Sequence, residues 1–276
     1  MEIRFQNSPK EVRSMTTAEL RSTFLAEKLM QDDSIQFVYS HYDRVIIGGA
    51  RPVNNTLELS NDPELRAEYF LERREIGIIN TGGQGVVEAD GTSYKLDKLD
   101  TLYIGKGVKQ VNFKSSASAD PACFFLMSAP AHKEYPTRKM AKEEASPAMM
   151  GDQNTANKRT IYKYIHKDGI QSCQLVMGLT VLDKGSVWNT MPPHTHTRRM
   201  EAYFYFDVPE ANRVFHFMGE PSETRHILIG NHQAVLSPPW SIHSGCGTTN
   251  YAFIWGMAGE NYTFTDMDAV AIADIR

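Results

Sequence analysis

The stretch Met191-Pro-Pro-His-Thr-His-Thr-Arg-Arg-Met-Glu201 decides how the rest of the chain is interpreted. It holds two imidazoles two positions apart and, five positions after the second, a carboxylate. Alternate side chains of a β-strand point to the same face, so His194 and His196 can both face inward. Thr197 to Met200 then indicate a tight connection, and Glu201 opens a second, aromatic strand. This spacing predicts three metal ligands converging from one β-hairpin.

The segment Ser237-Pro-Pro-Trp-Ser-Ile-His-Ser-Gly245 offers a fourth ligand, His243. Its prolines and glycine confine it to a short strand between turns, in which Ile242 and His243 face opposite ways. Three neutral imidazoles and one carboxylate suit a borderline divalent cation. The four residues therefore predict a metal site for an ion such as zinc, with manganese, iron and nickel left open.

Other histidines in strand-like segments are interpreted differently. His216, His226 and His232 each stand alone, and a single histidine in a strand is more often a surface or hydrogen-bonded core residue than a ligand. For the four predicted ligands, by contrast, the spacing, the strand context and the distant fourth partner all agree. We therefore assign the metal to those four residues only.

Composition excludes several classes of protein. The chain has 276 residues, a formal net charge of -4 and a sequence pI near 6.1, without a long run of Lys and Arg, so no nucleic-acid partner is expected. Its three cysteines include no CxxC pair, which argues against a disulfide framework and a structural zinc site. There is no signal-peptide pattern and no run of about 18 apolar residues, so we expect a cytoplasmic protein without a membrane partner.

Most of the chain is predicted to form short β-strands. One helix is expected from Thr16 to Met30, where Thr16 and Glu19 have capping-box spacing and leucines form an apolar stripe. Strand-like segments rich in Val, Ile, Tyr and Phe follow, and glycine pairs separate them in the manner of antiparallel hairpins. From about Ala129 to Lys158 the periodicity is lost, which indicates a connection between two domains.

The two halves resemble each other weakly. Glu75-Ile-Gly-Ile-Ile and Glu201-Ala-Tyr-Phe-Tyr each open an apolar strand with a glutamate, and a turn and further short strands follow. This favours an all-β protein built from a duplicated β-barrel. We predict one barrel over residues 1–145, without a metal site, and a second over residues 146–276, with the histidine cluster.

The motif HxH, a glutamate and a later histidine after a Pro-containing turn resembles the cupin superfamily, whose jelly-roll barrels hold a metal on such ligands. Two positions depart from the general cupin pattern: Gly247 stands where many cupins have asparagine, and Gly185 lies farther from His194 than usual. Longer strings are similar to the 5-keto-4-deoxyuronate isomerases; they are Phe70-Leu-Glu-Arg-Arg-Glu75, Tyr103-Ile-Gly-Lys-Gly107, the run from Trp188 to Phe206, Trp240-Ser-Ile-His-Ser-Gly245 and Phe253-Ile-Trp-Gly-Met-Ala-Gly-Glu-Asn261.

This resemblance implies a bicupin with a few peripheral helices, one zinc ion per chain on the four ligands, and assembly as a homohexamer. It also implies an intramolecular oxidoreductase of pectin and uronate degradation. The expected substrate is an acidic keto sugar, 5-dehydro-4-deoxy-D-glucuronate (4-deoxy-L-threo-5-hexosulose uronate), and the expected product is 3-deoxy-D-glycero-2,5-hexodiulosonate.

Candidate catalytic and substrate-binding groups surround the metal ligands in sequence. If Glu201 faces the metal, Tyr203 and Tyr205 share its face and could exchange protons with the substrate, although packing explains both equally well. Arg198 and Arg199 could hold the substrate carboxylate, or could be solvated turn residues. Lys106, between two glycines, is a weaker substrate-binding candidate. Glu72, Arg73, Arg74 and Glu75 of the first domain could line a neighbouring pocket, although an interdomain or subunit salt-bridge cluster is expected in preference.

Two other function classes stay open from the residues alone. The same ligands could hold iron or manganese and support an oxygen-using dioxygenase. The barrels could also form a non-catalytic sugar-binding or regulatory protein, although no DNA-binding helix pair or basic stripe is present. Metal analysis, oxygen uptake and turnover of the keto sugar separate these classes.

Overall fold

The computed structural model describes residues 1–261 and 263–276. It is built almost entirely from strands, with two short α-helices, α1 (Pro9–Val12) and α2 (Thr17–Phe24), in the described residues. Single 3-10 turns lie at Pro63–Leu65, Lys142–Glu144, Gln153–Thr155 and Ile272–Asp274. In the described part of the chain, neither helix has the length or the apolar character needed to cross a bilayer.

The strands of the first half form one seven-stranded and one four-stranded sheet. Their order is β1-β3-β4-β11-β6-β9-β12 in the larger sheet and β5-β10-β7-β8 in the smaller one. In chain order the strands of this half are β1 (Glu2–Arg4), β3 (Ile35–Ser40), β4 (Ile46–Ala50), β5 (Leu57–Glu58), β6 (Arg74–Asn80), β7 (Gly85–Ala89), β8 (Thr92–Leu96), β9 (Thr101–Ile104), β10 (Val111–Ser115), β11 (Phe124–Pro130) and β12 (Arg138–Met140).

The second half repeats this arrangement. Its sheets have the orders β13-β14-β15-β23-β18-β21-β2 and β16-β22-β19-β20, and β17 pairs with β24 alone. The strands are β2 (Leu25–Ala26), β13 (Ala148–Met150), β14 (Arg159–Ile165), β15 (Val176–Leu182), β16 (Trp188–Asn189), β17 (His194–Thr195), β18 (Arg199–Phe206), β19 (Val214–Glu220), β20 (Glu223–Ile229), β21 (Gln233–Ser237), β22 (Ser244–Gly247), β23 (Ala252–Gly259) and β24 (Asp268–Ala269).

The two halves match strand for strand. The order β3-β4-β11-β6-β9 corresponds to β14-β15-β23-β18-β21, and β5-β10-β7-β8 corresponds to β16-β22-β19-β20. Alternation along each strand sends one set of side chains into its own barrel and the other set outward. The predicted duplicated all-β barrel is therefore confirmed. The division at residue 145 stays a prediction, although the chain passes from the sheets of one barrel to those of the other between β12 and β13.

The two seven-stranded sheets pack against each other. Phe125 of β11 stacks on Phe204 of β18 with ring centroids 4.7 Å apart. The sheets approach so closely that a Cβ on Gly77 would overlap the sulfur of Met177, and one on Gly256 would overlap the sulfur of Met127. The buried apolar cluster of the second barrel consequently continues into the facing side of the first.

The buried carboxylate of Glu75 links the two barrels through hydrogen bonds. The tyrosine hydroxyl of Tyr103 donates to it at 2.6 Å, and backbone N–H groups of the second barrel donate at 2.7, 2.8 and 3.1 Å; they belong to Cys173, Gln174 and Leu175. Glu75 is fully buried, so these donors replace the water that its charge loses. Among the described residues of one chain, Glu75 therefore forms no salt bridge of the predicted cluster, because hydrogen-bond donors rather than a cation stabilise its charge. Arg73 and Arg74 instead line a pocket, as the alternative prediction had it.

The predicted helix from Thr16 to Met30 is too long. The capping box of Thr16 and Glu19 is present, but α2 ends at Phe24. Leu25 and Ala26 then leave the helix to pair with β21, where their backbone groups extend a sheet of the second barrel. The region from about Ala129 to Lys158, predicted as a connection, also contains β12 and β13, because both short strands find an edge strand to pair with.

Candidate metal centre

Four side chains from different parts of the second barrel meet at one point. His194 lies on β17, Glu201 on β18 and His243 just before β22, while His196 follows β17. One potential ligand atom from each lies within 4.8 Å of those of the others. All four side chains are buried, with exposed fractions between 1% and 9%. The structure therefore brings together the whole ligand set that the sequence predicts.

The distances within the cluster fit a shared cation. Nε2 of His243 lies 2.8 Å from Oε2 of Glu201 and 2.9 Å from Nε2 of His194. Nε2 of His196 lies 2.9 Å from the same carboxylate oxygen. Zinc bonds to nitrogen and oxygen of about 2.0–2.2 Å place neighbouring ligand atoms roughly 3 Å apart. The spacing of these atoms is thus close to that of adjacent ligands on one ion.

The ring orientation of His196 points to the same conclusion. Its Nδ1 lies 2.9 Å from the backbone oxygen of Arg199, an arrangement in which Nδ1–H donates and Nε2 keeps a lone pair. That lone pair faces the carboxylate oxygen of Glu201, and two electron pairs at hydrogen-bond distance repel unless a cation separates them. A metal ion satisfies this requirement without protonating the ring, so the donor set fits a divalent cation of the zinc class.

The electrostatics of the cluster hold Glu201 as an anion and His194 as a neutral ring, the forms in which both can bind a metal. Burial alone would raise the pKa of Glu201, but the charge of His243 and the hydrogen bonds from His196 and His243 hold that pKa well below its ordinary value. Burial and the neighbouring His243 lower the pKa of His194 to about 3, which keeps its imidazole neutral. Burial would lower the pKa of His196, yet the hydrogen bond to Glu201 raises it overall, so without a metal a proton lies between Nε2 and the carboxylate, where a bound cation would replace it. An anionic carboxylate beside imidazoles is the arrangement that attracts a metal cation.

A cavity of about 180 Å³ opens beside the cluster. The polar residues that line it include the ligands His194 and Glu201, together with Arg159, Asn189, Thr190 and Arg199. Aromatic and apolar side chains also line it; they include Ile161, Phe253, Trp255, Met257 and Phe264. Such a pocket, mostly apolar with a few convergent polar groups, is typical of small-molecule sites.

Tyr203 and Tyr205 lie in different surroundings although both share the inward face of β18 with Glu201. Tyr203 lines the cavity, and its hydroxyl lies 3.0 Å from Oγ1 of Thr190. Tyr205 is not among the residues that line the cavity, and its hydroxyl lies 2.7 Å from Nδ1 of His216. Burial raises the pKa of both phenols, so both stay protonated at neutral pH. Of the two, Tyr203 is the one that a molecule in the cavity would touch.

The predicted cationic residues are also distributed unevenly. Arg199 lines the cavity, but its guanidinium donates to backbone oxygens of Asn261, Thr263 and Asp266 at 2.8–3.0 Å. Arg198 is paired with the carboxylates of Asp266 and Asp268 at 2.8 and 2.9 Å. Both arginines therefore hold the C-terminal segment over the site, and their binding of a substrate carboxylate stays a prediction.

Lys106 is not brought to the metal cluster. It lines a surface depression of the first barrel together with Glu134 and Tyr135. Of the two glycines beside it, Gly105 is required by local packing, since a Cβ there would overlap the backbone of Tyr135. Within one chain the residue therefore has no contact with the cavity, and its assignment to substrate binding is untested.

The predicted hairpin also needs correction. β17 pairs with β24 and not with β18, and β18 begins at Arg199, two residues before Glu201. The turn between the strands is correspondingly tight, with the N–H of Arg199 donating to the backbone oxygen of His196. The direction of the His196 side chain towards the other three ligands is therefore set by this turn rather than by the alternation of side chains along a strand.

Several cavity residues were missed by the sequence reasoning. Thr190, Trp255 and Phe264 contact or line the space beside the ligands, and Met150 and Met267 line it from half-exposed positions. Thr190 and Trp255 lie within sequence segments that resemble the isomerase family, and that position could have marked them as candidates. Met150, Met267 and Phe264 come from segments without periodicity, and no local pattern marks them.

Comparison with known proteins agrees with this geometry. A family model described as the KduI/IolB family matches residues 24–272. The chain is 54% identical over 276 residues to a protein of Shouchella clausii (strain KSM-K16) and 53% identical over 276 residues to one of Bacillus subtilis (strain 168). Both are named 4-deoxy-L-threo-5-hexosulose-uronate ketol-isomerase, and each alignment covers 100% of both chains.

Solved structures support the fold at much lower sequence identity. An IolB-like protein from Salmonella typhimurium LT2 superposes with a TM-score of 0.72 at 14% identity, over 90% of this chain and 96% of that one. The oxalate decarboxylase of Lactobacillus farciminis superposes with a TM-score of 0.58 at 9% identity, over 86% and 83% of the two chains. The predicted bicupin fold is confirmed, and the chain belongs to the KduI/IolB family.

Proposed function

We propose that this protein is a metal-dependent ketol-isomerase that converts 5-dehydro-4-deoxy-D-glucuronate into 3-deoxy-D-glycero-2,5-hexodiulosonate. The observation that carries the proposal is the convergence of His194, His196, Glu201 and His243 at the wall of a cavity in the second barrel. The shared names of full-length relatives at 53% and 54% identity supply the substrate class.

The reaction moves a proton between two neighbouring carbons. A base removes the proton from the carbon that carries a hydroxyl group, negative charge develops on oxygen, and a proton returns to the adjacent carbon. We propose zinc as the ion; when bound by the four ligands, it would supply Lewis-acid stabilisation of the developing charge without redox chemistry. The protein then has to bind the sugar, orient it and move the proton.

Residues of the cavity suit these tasks. The hydroxyl of Tyr203, next to Thr190, can donate a hydrogen bond to a substrate oxygen and orient it, because burial raises its pKa and keeps the group protonated. Among the residues that line the cavity, Glu201 is the one with a carboxylate, which the neighbouring imidazoles hold ionised. Apolar walls formed by Phe253, Trp255 and Met257 limit the access of water to the reacting carbons.

The cellular role is proposed on the same basis. An isomerase for an unsaturated-uronate-derived keto sugar acts in the breakdown of pectin and other uronates, and we place the protein in the cytoplasm. We also expect a homohexamer, because the sequence motifs resemble those of isomerases that assemble in this form. Size-exclusion chromatography with light scattering measures the assembly directly.

The decisive experiment follows the sugar itself. Purified protein of known metal content is supplied with the keto aldehyde, and its conversion is followed by NMR in deuterated water. We expect the hexodiulosonate as product, loss of turnover after chelation, and recovery on adding zinc. Separate samples reloaded with manganese or iron compare the metals, and an oxygen electrode runs in parallel. Consumption of oxygen with the sugar, or full turnover by metal-free protein, would contradict the proposal.

A further inference from the structure

The first barrel has a cavity of its own at the end where β6 begins. It has a volume of about 290 Å³ and lies outside the metal barrel. Tyr39 and Phe70 form aromatic walls, while Arg73, Arg74 and Glu64 supply charge. None of the metal ligands lines it.

Arg74 is the unusual member of this cavity because it is a buried cation without an anionic partner. Its side chain is only 6% exposed. Nε donates to the hydroxyl of Ser128 at 3.0 Å, and Nη2 donates to the backbone oxygens of Arg44 and Ser128 at 2.7 and 2.9 Å. Among the described residues Nη1 has no hydrogen-bond acceptor, and no carboxylate forms an ion pair with the guanidinium.

The adjacent Glu75 acts on Arg74 through its charge but forms no ion pair with it. Successive residues of a strand point to opposite faces, and the Glu75 carboxylate is already occupied by Tyr103 and by three N–H groups of the second barrel. Burial lowers the pKa of Arg74 to about 10, so the group is still charged at neutral pH. Burying a charge without a counterion is costly, and an anion bound at the solvent-accessible Nη1 would offset that cost.

In the duplicated fold, Arg74 of the first barrel has the position that Arg199 has beside the metal site of the second barrel. β6 and β18 hold the same place in their sheets, and Arg74 and Arg199 are the first residues of these strands. Two positions further on, the second barrel has Glu201 and the first has Ile76. The first barrel therefore retains a guanidinium at its end but has an apolar side chain where the metal barrel has a ligand.

We infer that this cavity is a second binding site, specific for a small hydroxycarboxylate such as a sugar acid and independent of the metal. The free Nη1 of Arg74 is suited to a carboxylate, and the Tyr39 ring, 6.0 Å from its guanidinium carbon, can pack on the carbon chain of a sugar acid. Glu64, at the edge of the cavity, can accept hydrogen bonds from hydroxyl groups. Its charge repels a dianion, which favours a monocarboxylate over a phosphate.

Isothermal titration calorimetry with D-gluconate tests this site in the metal-loaded full-length protein. The same titration of the full-length His194→Ala variant removes the contribution of the metal centre. We expect gluconate binding in both proteins, weaker binding of inorganic phosphate and none of neutral D-glucose. Arg74→Met should weaken gluconate binding about tenfold or more, because it removes the charge but keeps most of the side-chain volume.

A second variant covers the case in which Arg74→Met does not fold. Ala67→Trp leaves every Arg74 hydrogen bond in place and fills the cavity from its wall, so it should also abolish gluconate binding. Lys95→Met, on an exposed position of β8, is the matched control for loss of one positive charge and should bind normally. The inference is overturned if gluconate does not bind at millimolar concentration, if phosphate binds as tightly, or if Ala67→Trp binds like the unmodified protein.

Discussion

Nε2 of His194 and Nε2 of His243 lie 2.9 Å apart, although the residues are separated by 49 positions in the chain. Two buried imidazoles in this arrangement need a shared cation or a shared proton between them. Because Glu201 adds an anionic oxygen 2.8 Å from His243, a metal ion satisfies all three groups at once. The pair thus joins β17 and the segment before β22 through the proposed ion.

Replacing His243 with Ala should remove the metal without unfolding the barrel. Three ligands remain, but the lost bond lowers affinity, so we expect less than about a tenth of an ion per chain. Turnover of the keto sugar should fall by about three orders of magnitude or more. Metal analysis, NMR of the reaction and far-UV circular dichroism measure the three quantities. His226→Ala, at an exposed position of β20, serves as control; a metal-free His243→Ala protein with normal turnover would refute the assignment.

The two tyrosines of β18 should respond differently to removal of their hydroxyl groups. Tyr203→Phe removes a group that faces the cavity, and we expect kcat to fall about a hundredfold with little change in stability. Tyr205→Phe instead leaves Nδ1 of His216 without its partner and should cost about 1–3 kcal/mol in the free energy of unfolding. Its turnover should stay within about twofold of normal. Equal losses of turnover in both variants would show that the cavity does not separate their roles.

The carboxylate of Glu75 should be important for stability rather than for catalysis. Three backbone N–H groups and one phenol donate hydrogen bonds to the carboxylate of Glu75. Glu75→Gln removes the negative charge, and the NH2 group of the new amide would face some of these donors. We expect a loss of about 2 kcal/mol in the free energy of unfolding. Urea denaturation and limited proteolysis between the barrels measure the effect. Glu68→Gln, at an exposed position, is the matched control. Unchanged stability of Glu75→Gln would show that the Glu75 carboxylate does not stabilise the contact between the barrels.

Acid should destabilise the metal-free protein partly through His232. The pKa of its imidazole is lowered to about 4, mainly by burial and further by the charges of Arg51 and Lys98. The charge of Asp207 acts in the opposite direction. Between pH of about 6.5 and 4 the unfolded chain binds a proton here that the folded chain does not, so the free energy of unfolding falls as pH falls.

We expect this residue to contribute about 2 kcal/mol to that loss. His232→Asn removes the titrating group and tolerates the positive φ of 60° at this position. Urea denaturation of chelator-treated proteins at several pH values excludes the separate effect of metal release. The variant should lose less stability on acidification than the unmodified protein, and parallel curves would be the contrary result.

The ligand set could be predicted because strand periodicity and ligand chemistry are local properties. His194, His196 and Glu201 are close in sequence, and His243 stands in a segment whose prolines and glycines leave few conformations. The predicted helix after Thr16 was too long for the opposite reason. Leu25 and Ala26 have acceptable helical propensity, but pairing with β21 across the molecule provides backbone hydrogen bonds that propensity does not describe.

The sequence by itself determined the all-β character, the duplication and the four residues that can bind a metal, because each depends on side-chain type and spacing along the chain. The tertiary structure alone decided that Tyr203 rather than Tyr205 lines the cavity, that Glu75 fastens the barrels, and that Arg74 is buried without an anion. These depend on which groups from distant strands share one buried space, where desolvation makes every unpaired charge costly. Neither spacing nor composition specifies those neighbours.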